Sequence, residues 1–444
     1  MRNVTIISSK HKSIAQKSPI SGNNRVRANA YESSIMTIRT LFAEPVEPSA
    51  GLIPVPLLTP LLRASRMNQS NRRGAIRLFV CLVYIAFAAP SFASPFILTS
   101  PTQLDTLTIL FYNVENLFDT EDDPATDDDE FTPASEKRWS NSRFKEKRNM
   151  LYRAIAMEEN RISLPDIIGL SEIENRFVVE ALFRQTPLHA TPYEVVHRES
   201  NDPRGIDVAL LFRADRMTLL HEEYLPLTNR RGQIEKGRET IYAKGLVDNL
   251  DTLHLFVCHW PSRLGGAKAS ELRACSAQRL RQKVDSIGLA SPRPKIIIMG
   301  DFNDTPVNTS LTKVLGAIPS GFRRQNQRTK PSKTAQPTTA QLKNGQPITE
   351  LYNLSSRRKS DVPGSYKYKE NWELIDQMIV SEPLLKSKSG FFTTKESFLI
   401  RSESILLIPD KTHGGLKPDR SYQGPIWKGG CSDHLPVRLL LQKK

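Results

Sequence analysis

The sequence predicts an α+β sandwich, with β-sheets packed face to face and helices outside. Three observations predict it. From about residue 104 the chain carries many apolar runs of four to eight residues, rich in Ile, Val, Leu, Phe and Tyr. Few helical stretches interleave with them, so sheets must cover one another. No internal repeat and no second compositional block interrupts the alternation.

Strands are expected at 106–113, 166–171, 193–196, 206–212, 253–259, 295–300, 374–381 and 435–441. A helix is expected at 268–287, where Ala277, Leu280, Val284 and Ile287 follow three/four spacing. Another is expected at 142–157. Residues 323–347 are polar and basic and read as an exposed loop or insertion.

The chain has 444 residues, room for one large domain or two ordinary ones. Hydrophobic residues at 39% and charged residues at 25% exclude a fibrous or wholly disordered protein. The net charge of +15 resembles a polyanion-binding signature until it is located. Residues 1–93 hold twelve Lys or Arg against three Asp or Glu, so nine of those charges lie there and six in the rest. That remainder is compatible with a polyanionic partner but does not argue for one.

The leading segment reads as export. Residues 68–77 are polar and basic, 78–89 are apolar, and Ser91-Phe92-Ala93 offers small residues where a signal peptidase reads. The apolar run is short for a bilayer span. The reading is a signal at 67–93 cleaved near Ala93, with an uncleaved anchor or a buried helix as alternatives. The mature chain, 94–444, would be periplasmic or extracellular, with no stable membrane span. Met67 stands immediately before the pattern, so residues 1–66 read as an over-extended reading frame, expected to be disordered. Cys258, Cys275 and Cys431 remain after cleavage, an odd number that leaves at least one thiol free. A Cys258–Cys431 disulfide is one option. The chain has no CxxC pair, which argues against thiolate-bound zinc.

Six short motifs carry ligand-type residues at or near the ends of apolar runs. Ile296-Ile297-Ile298-Met299-Gly300-Asp301-Phe302-Asn303 presents a carboxylate and a carboxamide two residues apart, hence on one side of an extended chain. A carboxylate can hold a metal or orient a water, and a carboxamide can hydrogen-bond a phosphoryl oxygen; a simple turn would use the same residues. Cys431-Ser432-Asp433-His434 sets a metal-type ligand beside a titrating base. Asn113-Val114-Glu115-Asn116, Leu170-Ser171-Glu172-Ile173 and Cys258-His259-Trp260-Pro261 each end a strand. In Trp372-Glu373-Leu374-Ile375-Asp376-Gln377 an Asp lies in an apolar strand, costly to bury unless an imidazolium or similar partner meets it. Any one of these has a structural reading; together they place functional groups at the ends of several rigid elements.

The ordered set resembles the metal-dependent endonuclease/exonuclease/phosphatase superfamily over roughly residues 104–442, with Gly300-Asp301-Phe302-Asn303 and Ser432-Asp433-His434 the most specific parts. The resemblance implies a four-layer αββα sandwich, two packed mixed sheets flanked by helices. It implies that Glu172 is the main metal carboxylate and that Asn113, Glu115 and Asp433 are further metal or phosphate-site groups. Asp301 would orient or deprotonate the attacking water and Asn303 would hold the phosphate. His434 would bind the scissile phosphate or act as general acid/base, with Asp376 behind it. His259 would be the second catalytic histidine, with Asp207 orienting it.

Physical chemistry agrees with such roles. A phosphodiester is anionic and repels a nucleophile, and a divalent ion neutralises the developing charge. Oxygen ligands favour Mg2+, Mn2+ or Ca2+. The leading reading is hydrolysis of phosphodiesters, foremost in nucleic acid. The alternatives are a phosphatase or lipid phosphodiesterase, and a phosphate-ligand binding module on the same scaffold. No hydrophobic hairpin for membrane insertion is evident, which tilts against lipid. A monomer is the expected state.

Other features have plainer readings. Asp119–Glu130 is acidic and reads as a solvated loop more readily than a calcium site. Ser365-Tyr366-Lys367-Tyr368-Lys369 reads as a strand edge with a solvated face, or as the wall of a nucleic-acid groove. Arg263 and Lys268 read equally as phosphate contacts or solvated helix-start residues.

Overall fold

The computed structural model describes residues 105–158, 161–319, 349–356 and 361–444. The stretch read as an export signal, the residues before it and the whole of the expected insertion at 323–347 lie outside the described residues. Two seven-stranded sheets form the body. In chain order the strands are β1 (Thr106–Leu117), β2 (Ile167–Ile173), β3 (Tyr193–Val196), β4 (Asp207–Arg213), β5 (Met217–Leu225), β6 (Thr240–Val247), β7 (Asp251–His259), β8 (Lys295–Asp301), β9 (Ala317–Pro319), β10 (Leu351–Asn353), β11 (Asp376–Ser381), β12 (Phe391–Phe392), β13 (Phe398–Ile400) and β14 (Val437–Lys443).

The first sheet runs β12-β14-β1-β2-β4-β3, with β13 also on β14; the second runs β9-β10-β11-β8-β7-β6-β5. Both are mixed. β1 and β2 run parallel, as do β7 with β8 and β9 with β10, and the other neighbours run antiparallel.

Alternation along β8 shows how the layers arise. Ile297 and Met299 join the core between the sheets, while Ile296 and Ile298 join a second core. Ala277, Leu280, Val284 and Ile287 fill that second core from helix α3 (Gly266–Ala290). Helices α1 (Asn141–Ala156) and α2 (Arg176–Arg184) bury Leu151, Ile155, Val178 and Leu182 on the first sheet's side. The result is the four-layer αββα sandwich. The sheets meet closely at Gly169, where a Cβ would lie 3.0 Å from Met299 Sδ and 3.3 Å from Val257 Cγ1. Burying each such Leu, Ile or Val side chain contributes roughly 1.5–3 kcal/mol.

The eight expected strands and both expected helices are present, with shifted ends. β11 starts at Asp376 rather than 374, because the Ile375 carbonyl accepts from Phe302 N at 3.0 Å instead of entering the ladder. Asp376 is therefore the first residue of its strand. Cys258, Cys275 and Cys431 are all free and buried. Cys258 and Cys431 lie in different cores, so they do not bridge. Among the described residues no helix is long and apolar enough to cross a membrane.

The sandwich has two ends. At the end where β1, β2, β7 and β8 begin, Asp166 Oδ1 lies 3.0 Å from Arg216 Nη1 and 3.5 Å from Arg213 Nη1. Arg216 Nη2 also lies 2.7 Å from Asp248 Oδ2, and Asp166 Oδ2 accepts from Thr108 N at 2.8 Å. The other end gathers the six motifs.

Candidate active site

Register brings the motifs together. β7 and β8 run parallel with His259 beside Asp301, and β8 and β11 run antiparallel with Asp301 opposite Asp376. Parallel pairing of β1 with β2 sets Asn113 beside Ser171, one residue from Glu172. Bulges then re-aim side chains. The β1–β2 register shifts between Asn113 and Leu117, and the β2–β4 register between Ser171 and Ile173. Glu115, Asn116, Glu172 and Asn303 sit in the left-handed region at φ of 51°, 56°, 61° and 50°. Non-glycine residues adopt that conformation at a cost of about 1–3 kcal/mol each, which clusters at functional sites.

The hub is one oxygen, Asp301 Oδ2. It lies 3.1 Å from Asn113 Nδ2, 3.8 Å from His259 Nε2 and 4.0 Å from His434 Nε2. Glu172 Oε1 borders the same space, 3.2 Å from Asn113 Nδ2 and 3.8 Å from His259 Nε2. Asp301 Oδ1 accepts from Asn303 N at 2.9 Å, so the carboxylate is fixed from behind. His434 Nδ1 meets Asp376 Oδ2 at 2.8 Å, and the same oxygen accepts from Ser365 Oγ at 2.6 Å. That pairing keeps a proton on Nδ1, which donates it to Asp376, and turns Nε2 toward Asp301. The Tyr366 ring covers His434 at a centroid distance of 4.8 Å.

A second group adjoins the hub. Arg420 Nη2 lies 3.1 Å from Glu115 Oε1 and 3.2 Å from Asp433 Oδ2. Lys147, buried on α1, donates to the Glu115 carbonyl at 2.7 Å.

Several expected contacts are arranged differently. Asp207 does not orient His259: it accepts from Ser200 N at 3.0 Å and faces His197 Nε2 at 3.7 Å, while His259 Nδ1 makes no hydrogen bond. Both Asp207 and His259 stand at strand ends, but on different sheets. Asn113 presents its amino group to the two carboxylates, and its Oδ1 accepts from Glu115 N at 3.0 Å. Asn303 Nδ2 donates to the Trp260 carbonyl at 3.0 Å. Arg263 is tied to Asn303 O at 2.7 Å and Glu373 Oε1 at 2.6 Å.

The electrostatics show surplus negative charge. Burial, then the nearby Asp376, pushes the Asp301 carboxyl up to about 7. Burial, then Asp433, pushes Glu115 up to about 7, and burial raises Asp433. For His434, burial alone would lower the pKa, but Asp376, Asp301 and Asp433 together hold it well above the usual imidazole range. Burial, then Arg238, Arg204 and His434, drives His259 well below it.

A hard divalent cation fits this donor set, which is oxygen-rich, acidic and free of thiolates. Asp301, Asp376 and His434 offer atoms within 4.8 Å of one another. Asp376 Oδ2, however, is already used by Ser365 and His434. Glu172, with its side chain 16% exposed, is the better placed carboxylate. Arg420, Lys147, Ser365 and Tyr366 belong to the site without having been singled out for it from sequence.

The sequence model described as the Endonuclease/Exonuclease/phosphatase family matches residues 108–443. Among solved structures, an endonuclease/exonuclease/phosphatase family protein from Bacteroides thetaiotaomicron is 14% identical, covers 76% of this chain and 98% of its own, and has a TM-score of 0.45. A mannosyl-6-phosphatase from the same organism is 15% identical, with coverages of 76% and 99% and a TM-score of 0.43. D. rerio TDP2, humanized by 14 mutations, is 14% identical, with coverages of 76% and 100% and a TM-score of 0.43. No curated protein matches the chain.

Proposed function

The chain belongs to the endonuclease/exonuclease/phosphatase family, and from that premise we propose that it is a divalent-metal-dependent hydrolase of phosphodiesters, foremost in nucleic acid, exported after cleavage near Ala93. The observation that carries the reading is the meeting of Asn113, Glu172, His259 and His434 around Asp301 at the strand ends.

The residues divide the work. Glu172 would hold the ion, Mg2+, Mn2+ or Ca2+, which when bound neutralises charge developing on the phosphoryl oxygens. Asp301, locked by the Asn303 N–H, orients the attacking water and takes its proton. His434, steadied by Asp376, turns Nε2 inward to hydrogen-bond a phosphoryl oxygen or hand a proton to the leaving oxygen. His259 Nε2 faces the same space and donates to the phosphate from the opposite side. Asn113 spaces Glu172 from Asp301, supplying hydrogen bonds that keep two carboxylates close.

The test is hydrolysis of supercoiled plasmid and of bis-p-nitrophenyl phosphate by the purified protein, with Mg2+, Mn2+, Ca2+ or EDTA, beside His434→Ala. Metal-dependent nicking lost in the variant is the expected result. Cleavage of the small diester alone keeps the chemistry and moves the substrate to nucleotides, sugars or lipids. Turnover of neither, nor of a phosphomonoester panel, rejects the enzyme and leaves a binding module. N-terminal sequencing of the exported chain tests export; a mature terminus upstream of Ser94 rejects cleavage there.

A further inference from the structure

We infer that Arg420 fills the second cation position of this site, so that the centre takes one divalent ion and not two. The inference rests on the phosphoesterase reading above and adds how its negative charge is balanced.

Glu115 and Asp433 face each other across the Arg420 guanidinium. Arg420 Nε and Nη2 each lie 3.1 Å from Glu115 Oε1, and Nη2 lies 3.2 Å from Asp433 Oδ2. One planar, permanently charged group thus spans both carboxylates and supplies the positive charge between them.

The fold builds this position. Ser421 N donates to Glu115 Oε2 at 2.6 Å, gripping the far side of the same carboxylate. Lys147 Nζ ties the Glu115 carbonyl at 2.7 Å to Ser421 Oγ and to the Cys431 carbonyl at 3.4 Å. Ser432 N reaches the Asp419 carbonyl at 3.1 Å. Gly430 presses so closely on the loop that a Cβ there would lie 2.1 Å from Asp419 O and 2.6 Å from Arg420 O. An exposed arginine on a free loop makes a weak, interchangeable pair. This one is pinned on both flanks of its backbone.

Glu172 is different. Its oxygens accept from Asn113 Nδ2 at 3.2 Å and Asn116 N at 3.1 Å, and His259 Nε2 lies 3.8 Å away. The need for a metal charge therefore falls at Glu172, beside Asp301. Arg420 keeps 45% of its side chain exposed, toward a groove that Tyr366, Lys369 and Lys417 also line. A phosphoryl oxygen can reach that face without displacing the carboxylates.

The test counts Mn2+ on the purified full-length protein by equilibrium dialysis with metal analysis, and records its paramagnetic resonance spectrum. Wild type is expected to bind one ion per chain with the spectrum of an isolated centre. Arg420→Ala frees Glu115 and Asp433, so it is expected to bind two ions with the broadened signal of a coupled pair. Arg420→Gln should do the same if the alanine variant fails to fold, and Arg420→Lys should stay at one. Two coupled ions on wild type, or a single ion on both folded neutral variants, overturns the inference. Glu172→Gln separates the two readings: binding lost there, with the Arg420 variants unchanged, removes this inference and leaves the metal-dependent hydrolase standing. No binding by wild type removes both.

Discussion

The two ends of the sandwich bury charge in opposite ways. At the far end, Asp166, Asp215 and Asp248 are each met by Arg213 or Arg216, so each of these acids has a permanent cation against it. At the site end, Glu115, Glu172, Asp301, Asp376 and Asp433 face Arg420, Lys147 and a protonated His434. Glu115 and Asp301 are raised to about 7 there, because removing them from water beside another carboxylate penalises the charged form. The far end is complete as folded. The site end, on the proposed reading, is completed by a cation and a phosphate. Buried charge alone does not mark a site; unbalanced buried charge does.

The comparison can be broken most forcefully through Asp301. Asp301→Asn is expected to lower turnover by about a thousand-fold or more, while its thermal midpoint stays level or rises, since one of the crowded charges is gone. A destabilised variant would put the site end in the same class as the far end. Next comes Asp166→Ala. It removes one of the two buried carboxylates that Arg216 meets, and the acceptor of Thr108 N, and should cost about 3–5 kcal/mol by urea unfolding, with the turnover of the folded fraction unchanged.

A smaller effect separates the ends by ligand. Saturating Mn2+ should stabilise wild type by about 3 kcal/mol at a hundred-fold excess over its dissociation constant, and Glu172→Gln by nothing measurable. Equal stabilisation of both would place the ion elsewhere.

The smallest effect uses a buried group outside both ends. Burial, then Lys244 and Lys283, lowers His254 to about 4 from an ordinary 6.5, and the ring meets Tyr242 Oη at 2.8 Å. Its folded pKa lies below its unfolded one, so its stabilising share is full above pH 6.5 and is lost as pH falls toward 4. His254→Gln should flatten that part of a thermal-midpoint-against-pH curve; an unchanged slope would assign the decline to other groups.

Much of this was legible because strands end abruptly. Ile296 to Met299 is apolar and Asp301 follows, so a reader sees where the core stops and exposed chemistry begins. His259, Glu172 and His434 announce themselves in the same way. β5 and β6 did not. β5 is an edge strand whose alternation is scrambled by a bulge between Leu219 and His221, and β6 carries Gly245 under Met217, where a Cβ would lie 2.5 Å from Sδ. Helix α2 spans only nine residues, too few turns for its period to stand out, although Asn175 caps it by accepting from Val178 N at 3.1 Å. Lys147 looked like any lysine of an amphipathic helix, and Arg420 stands in a loop with no pattern at all. Each has a partner hundreds of residues away, Glu115 for Arg420 and Ser421 for Lys147, which spacing does not encode. The Asp207–His259 pairing failed for the same reason: two strand ends can share a rim without touching.

The pairing of β1 with β14 carries a consequence in time. Thr106 lies opposite Gln442, so β1 sits mid-sheet waiting for a neighbour made far downstream. A chain halted before Cys431 has Glu172 and Asp301 but neither Asp433, His434 nor the strand that seats them. A chain truncated there is thus expected to lack the two groups that the proposed chemistry draws from the last strand's approach.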